Sequence, residues 1–272
     1  MHADRIAQTA AARLAPSRHE LSRSRHDDRH PVRWYGLTFR ATTLTPPASA
    51  GWSRLVATRS GACLARAAGI LTAITPEHGV YAAAGVPVEL HAAESVDVRI
   101  LYVHAERAAT PGTVARAIVV APLLRELVER TVDRGALDAN EPGDAHLIEV
   151  IFDEIAALET TPFALPMPTD VRALRAAEQC LATLDAPPPP VVQLAAAAAT
   201  SARTLERLFA AQTGCSVGRW HRRFRLLAAE RALGSGASVT DAAYDAGYAS
   251  PSAFIAAYRR TFGTTPGRSR PR

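Results

Sequence analysis

The chain contains no lysine: all 31 of its basic residues are arginine. The absence spares neither the acidic nor the basic part of the sequence, so it reads as genome composition and not as mechanism. Cysteine is scarce. Cys63, Cys180 and Cys215 are odd in number, scattered and in no CxxC spacing. That pattern supports neither a disulfide framework nor a zinc site, and it fits a reducing cytoplasm. No apolar run approaches the roughly 20 residues that span a bilayer. The first thirty residues alternate Arg, His and Asp with Ala and Ser and have no apolar h-region, so no secretory signal is expected. His19, His26 and His30 lie in that stretch with nothing nearby to complete a tetrahedral site. Residues 1–30 therefore read as a solvated tail.

What is present begins with apolar material. At 272 residues and 48% hydrophobic content, the chain has enough for two modest cores. Charge is unevenly placed. From residue 200 onward there are twelve arginines against four acids (Glu206, Glu230, Asp241 and Asp245), whereas the remainder is slightly acidic. A basic C-terminal module on a mildly acidic body is what a phosphate backbone would attract.

Residues 31 to about 105 read as short strands. Val96, Val98, Ile100 and Tyr102 alternate with Asp97 and Arg99, the period of a half-buried strand. Gly85-Val86-Pro87 and Thr75–Gly79 punctuate such runs, which suits a small barrel or sandwich. Residues 113–160 switch to helical spacing. Leu123, Leu124, Leu127, Val128 and Val132 form one stripe, with Pro122 in the first turn. Ile148, Ile151, Phe152 and Ile155 form a second, over 144–158. The pair suits either packing on the strands or a dimer interface. Three prolines within 161–168 mark a linker. The helix expected over 170–184 has its own apolar stripe and packs on the C-terminal helices, so the Pro187–Pro190 run is not the main boundary.

The last third carries one pattern twice. With Ser201 aligned on Ser250, Leu205 meets Phe254, Phe209 meets Tyr258, Gly214 meets Gly263, Gly218 meets Gly267 and Arg219 meets Arg268. An alanine-rich segment precedes each copy, at 194–199 and 242–247. Helix, tight turn and serine-capped helix, found twice, is the signature of a double helix-turn-helix. In the first copy Leu205, Leu208, Phe209 and Gln212 share one face, and Arg203, Glu206, Arg207 and Ala210 the other. Arginine suits guanine O6 and N7, and glutamate accepts from cytosine N4, so Arg203 and Arg207 are candidate base readers with Glu206 a third. The second copy opens on Ser238-Val239-Thr240-Asp241, in the form of a capping box with Asp for Glu. Its recognition helix, capped by Ser250 and started by Pro251, offers Ser252, Ala253 and Ala256, then Arg259 and Arg260. Such a face reads thymine methyls or fixes register on phosphates. Ser201, Thr204 and Ser250, at the helix starts, complete the candidate DNA-contacting set. Residues 217–233 form a connecting helix of about 25 Å. Its Arg219, Arg222, Arg223 and Arg225 either touch phosphate or face solvent.

Residues 169–270 resemble the DNA-binding domain of the AraC/XylS family of bacterial transcription regulators. The segments SARTLERLFAAQTGCSVGRW and SVTDAAYDAGYASPSAFIAAYRRTFGTTPGR carry the likeness. The resemblance implies seven helices, two helix-turn-helix units joined by a long helix, and one DNA face. It also implies base-contacting roles at Arg203, Glu206, Arg207, Ser252, Ala253 and Ala256. More loosely, ITPEHGVYAAAGVPVELHA, VDVRILYV and VAPLLRELVER resemble the cupin-type sensory barrel of one branch of the family. The metal ligands of that branch are missing: the early strand region reads Thr45–Trp52 without His-x-His, and Val88 follows the Gly-Val-Pro turn. His78 and His91 remain as structural or solvated residues.

The expected fold is α+β: a cupin-like β-barrel over 31–112, a helical pair over 113–160, a linker over 161–168 and an all-α DNA-binding domain over 169–272. The expected function is a cytoplasmic, non-enzymatic transcription regulator that needs no metal or cofactor. Double-stranded DNA is its main partner. A small-molecule effector, RNA polymerase and a second copy of the chain are further expected partners. The rival readings are a cupin metalloenzyme with an appended DNA module, a DNA-repair protein with a methyl-accepting cysteine, and a scaffold that binds no specific DNA.

Overall fold

The computed structural model describes residues 29–107, 114–182 and 189–266. The chain divides into two units. One is formed by residues up to Ala68 with Ile74–Thr161, the other by Gly69–Ala73 with Pro162 onward. Almost all of the tail read over 1–30, and the Gly267 and Arg268 members of the repeat, lie outside the described residues.

Among the described residues eleven strands occur in order: β1 (Val32–Phe39), β2 (Thr42–Leu44), β3 (Trp52–Ser60), β4 (Cys63–Ala67), β5 (Ile70–Ile74), β6 (His78–Ala82), β7 (Val88–Ala92), β8 (Val96–His104), β9 (Ala115–Val119), β10 (Ala136–Leu137) and β11 (Ala164–Pro166). In the first unit, a six-stranded sheet runs β10-β1-β8-β3-β6-β9, all antiparallel. Strands β4, β7 and β2 pair side by side, also antiparallel. Leu37, Trp52, Val56, Val98, Ile100 and Tyr102 of the larger sheet share a core with Cys63, Ala65, Val88 and Leu90. On its other face, Val32, Trp34, Leu55, Leu101, Val103 and Ile118 meet two helices. These are α1 (Pro122–Thr131) and α2 (Pro142–Ala156), which contribute Leu124, Leu127, Val128, Ile148, Ile151 and Ile155. Each such apolar side chain contributes about 2 kcal/mol by leaving water.

The first unit differs from the sequence expectation in three ways. Strand β8 is not half-buried but covered on both faces, because α1 and α2 lie over its second face. Arg99 is accordingly buried and pairs with Asp97 and with Glu129 of α1. Among the described residues the expected closed barrel is not found. The six-stranded sheet is open, with β10 and β9 at opposite edges. The outer edge of β9 is satisfied instead by the chain at 159–161, through Val119 N–H to Glu159 O and Thr161 N–H to Ala117 O. Finally, helical spacing begins at Pro122, not at 113, since Ala115–Val119 is a strand paired with β6. A short run such as Ala-Ile-Val cannot be told from buried helix by periodicity alone.

The second unit holds α3 (Val171–Ala182), α4 (Val191–Ala197), α5 (Ala202–Thr213), α6 (Val217–Gly234), α7 (Val239–Asp245) and α8 (Pro251–Phe262). These are six α-helices among the described residues, against the seven that the resemblance implies; residues after 266 are not described. Strand β11, within the proline-bearing stretch read as a linker, pairs with β5 in this unit. It also anchors α6: the Trp220 indole N–H donates to Pro166 O at 2.7 Å, and Arg223 to Ala164 O at 3.0 Å. Aromatic rings form the core. Phe209, Trp220 and Phe224 pack under α5, and Tyr248, Phe254, Tyr258 and Phe262 pack under α8. Tyr258 donates a hydrogen bond to Glu230 of α6, and both side chains are fully buried.

Candidate nucleic-acid interface

Four consecutive helices of the second unit begin on a serine whose hydroxyl accepts a backbone N–H. Ser201 accepts from Thr204 at 3.1 Å, Ser216 from Arg219 at 3.2 Å, Ser238 from Asp241 at 3.0 Å and Ser250 from Ala253 at 3.3 Å. Each bond satisfies one otherwise orphaned N–H of a first turn. The cap at Ser216 is an addition to the sequence reading. At Ser238 the hydroxyl also donates to Asp241 at 2.5 Å. At the other end, the paired glycines Gly214 and Gly263 close α5 and α8 with φ of 72° and 74°. That left-handed cap is one that glycine adopts without penalty.

The two helix-turn-helix turns are related but not identical. A left-handed residue follows each first helix: Ala199 with φ 50° in one, Gly247 with φ 72° in the other. Thr200 alone separates Ala199 from its cap, whereas Tyr248 and Ala249 separate Gly247 from Ser250. The second turn is thus one residue longer.

On α5 the expected inward set is buried at Leu205, Leu208 and Phe209. Gln212 is exposed, and its side-chain oxygen accepts from the backbone N–H groups of Thr169 and Asp170, both at 2.9 Å. Arg203, Arg207 and Ala210 are exposed, and Thr204 is half-buried. Glu206, half-buried, accepts from Val217 N–H at 3.0 Å and so ties α5 to the start of α6. On α8, Phe254, Ala257, Tyr258 and Phe262 are buried. Ser252, Ala253, Ala256, Arg259 and Arg260 are exposed, as is Ile255, which sequence reasoning passed over. Its signal was available: 255 lies 49 residues after 206, the offset that relates the two copies.

Of the five arginines of α6, Arg231 is buried and the other four separate into two pairs. Arg219 and Arg222 are exposed. Arg223 is spent on Ala164 O, and Arg225 donates to Ala246 O while its guanidinium lies over the Tyr248 ring at 5.5 Å. Arg225 also fills the space beside Gly247, where a Cβ would collide with its guanidinium. Burial pushes the Tyr248 hydroxyl above the usual phenol range, and nearby Arg225, Arg222 and Arg260 pull it back. Burial, with Arg225 beside it, lowers His221 below the usual imidazole range. A neutral His221 adds no further charge to this arginine-rich flank. Among the described residues no group of three or more His, Cys, Asp or Glu could hold a metal ion, and no helix is long and apolar enough to cross a membrane.

Residues 194–272 match a family described as "Helix-turn-helix domain", which takes in both copies of the motif. The chain carries a helix-turn-helix domain at its C-terminus and is a DNA-binding transcriptional regulator. It is similar to the HTH-type transcriptional regulator NimR of Escherichia coli, with 27% identity over 215 residues, covering 79% of this chain and 78% of that protein. Similarity to the regulator ExsA of Pseudomonas aeruginosa is 43% over 68 residues, or 25% of this chain and 24% of that one. With RipA of Corynebacterium glutamicum it is 32% over 118 residues, or 43% and 36%. The regulator therefore acts by binding DNA, through a C-terminal helix-turn-helix unit that follows an N-terminal β unit.

Proposed function

We propose that this regulator reads its operator mainly through α5. Arg203 and Arg207 stand free at the front of that helix, and a guanidinium there meets guanine O6 and N7 together. Thr204 and the second carboxylate oxygen of Glu206 are within the same turn, and Ser201 fixes where the helix begins. In the second copy, Ser252, Ala253 and Ala256 form a small neutral reading face behind Ser250, and Arg259 and Arg260 neutralise phosphates. Arg219 and Arg222 of α6 join them, since Arg223 and Arg225 are already committed to carbonyl oxygens. The observation that carries the reading is the pair of capped helices, with Arg203 and Arg207 exposed on α5 and Ser252, Ala253, Ala256, Arg259 and Arg260 exposed on α8.

The boundaries follow the same division, with sensing or dimerisation in 31–160, a link at 161–168 and DNA reading in 169–272. The N-terminal unit, an open relative of the cupin barrel, takes an apolar small-molecule effector. A homodimer forms through α1 and α2, where Leu123 and Val150 are exposed. RNA polymerase and a cytoplasmic setting complete the proposal.

The deciding experiment is selection from random duplex DNA with purified full-length protein at near-physiological salt, beside an Arg203→Ala/Arg207→Ala control. An enriched motif that relaxes in the control supports the reading. Uniform, salt-sensitive binding with no motif overturns it.

A further inference from the structure

We infer that Ile255, with Ala256 beside it, reads thymine 5-methyl groups in the half-site met by α8; this rests on the operator reading above. Among the described residues of the second unit, the large apolar side chains left exposed are Val171, Val192, Tyr244 and Ile255. Of these, Ile255 stands on the helix that follows a helix-turn-helix turn. Its counterpart in the first copy is Glu206, and the counterparts of Arg203 and Arg207 are Ser252 and Ala256. The whole front of the second recognition helix has thereby exchanged charge for small or apolar surface. Ser252 is its one hydrogen-bonding side chain before the last turn.

Such a surface discriminates little by hydrogen bonding. In a major groove the feature that an apolar side chain recognises is the thymine methyl, the donor and acceptor atoms of the other bases being left unpaired against it. Arg259 and Arg260 in the last turn supply charge for phosphates, which positions a helix without reading sequence. The second half-site then owes its sequence preference to the apolar front of α8, and that preference is for thymine.

The test uses the full-length protein and its selected operator, with each thymine replaced in turn by deoxyuridine, which lacks only the methyl. Competition binding should show one or two thymines, confined to one half-site, where the replacement weakens binding about four-fold, the equivalent of one buried methylene. Ile255→Ala should weaken binding to the thymine duplex by a similar factor and become indifferent to deoxyuridine at those positions. Ile255→Val should fall between. Both substitutions are at an exposed site, and an unchanged melting temperature verifies the fold. Arg203→Ala should keep the deoxyuridine sensitivity while losing affinity elsewhere. The inference is overturned if a selected operator shows no deoxyuridine penalty, or if Ile255→Ala retains it. If no operator enriches at all, the operator reading falls first and this inference with it.

Discussion

The first helix-turn-helix places Arg203 and Arg207 at the front of its recognition helix. The second places Ser252 and Ala256 at the same positions and holds its arginines, Arg259 and Arg260, for the last turn. The two copies share caps, glycine stops and aromatic cores, and differ where DNA would be met. Their supports differ too. Glu206 of the first ties its recognition helix to α6 through a backbone N–H, while the second is held to α6 by the Tyr258–Glu230 bond and by Arg225 on the turn. The two copies thus have a common scaffold and different reading faces.

The largest effect that would sharpen this comparison is on affinity. Arg203→Ala/Arg207→Ala should cost about 2–6 kcal/mol on the selected operator, for two lost bidentate contacts, and relax its guanine positions. Arg259→Ala/Arg260→Ala should instead weaken all sequences alike and reduce the salt slope by about 2. Fluorescence anisotropy over a salt series separates the two. Equal loss of specificity in both variants would break the proposed division of labour.

Next in size is Tyr258→Phe, which removes the donor from a buried carboxylate. It should destabilise the second unit by about 2 kcal/mol in a denaturant melt. The first copy has Phe209 at that position and no such bond to lose.

The turns give a smaller and opposite pair. Gly247→Ala meets both the left-handed backbone and the Arg225 guanidinium, so it should lower stability by at least about 1–2 kcal/mol. Ala199→Gly relieves the same backbone cost in the first turn and should raise stability by roughly 0.5 kcal/mol after the entropy that glycine adds to the unfolded chain. Melting temperatures of the two variants should therefore move in opposite directions. Smallest is the cap: Ser201→Ala and Ser250→Ala should each cost about 1 kcal/mol, and similar values would confirm that the scaffold is the shared part.

Much of this was legible because it is local chemistry. A serine before a helix, a glycine after it and apolar residues three and four apart specify α5 and α8 with no distant partner. The residue offsets even carried the extra residue of the second turn, since the first helices align 48 apart and the second 49. What escaped depends on groups far along the chain. Nothing in the spacing of Arg219, Arg222, Arg223 and Arg225 says which are free; that was decided by carbonyls 59 and 21 residues away. Arg99 looked outward until α1 covered it, and Ala115–Val119 became a strand because β6 offered an edge.

By itself the sequence determined that the chain ends in a duplicated, basic, serine-capped helix-turn-helix, because capping, turn geometry and helical periodicity act within a few residues. Only the tertiary structure decided that the N-terminal sheet stays open and that Arg223 and Arg225 of α6 are committed to backbone carbonyls. It likewise decided that an isoleucine stands exposed on the second reading helix. Each of these depends on which surface folds over which, and a backbone carbonyl brought from tens of residues away leaves no mark in local spacing.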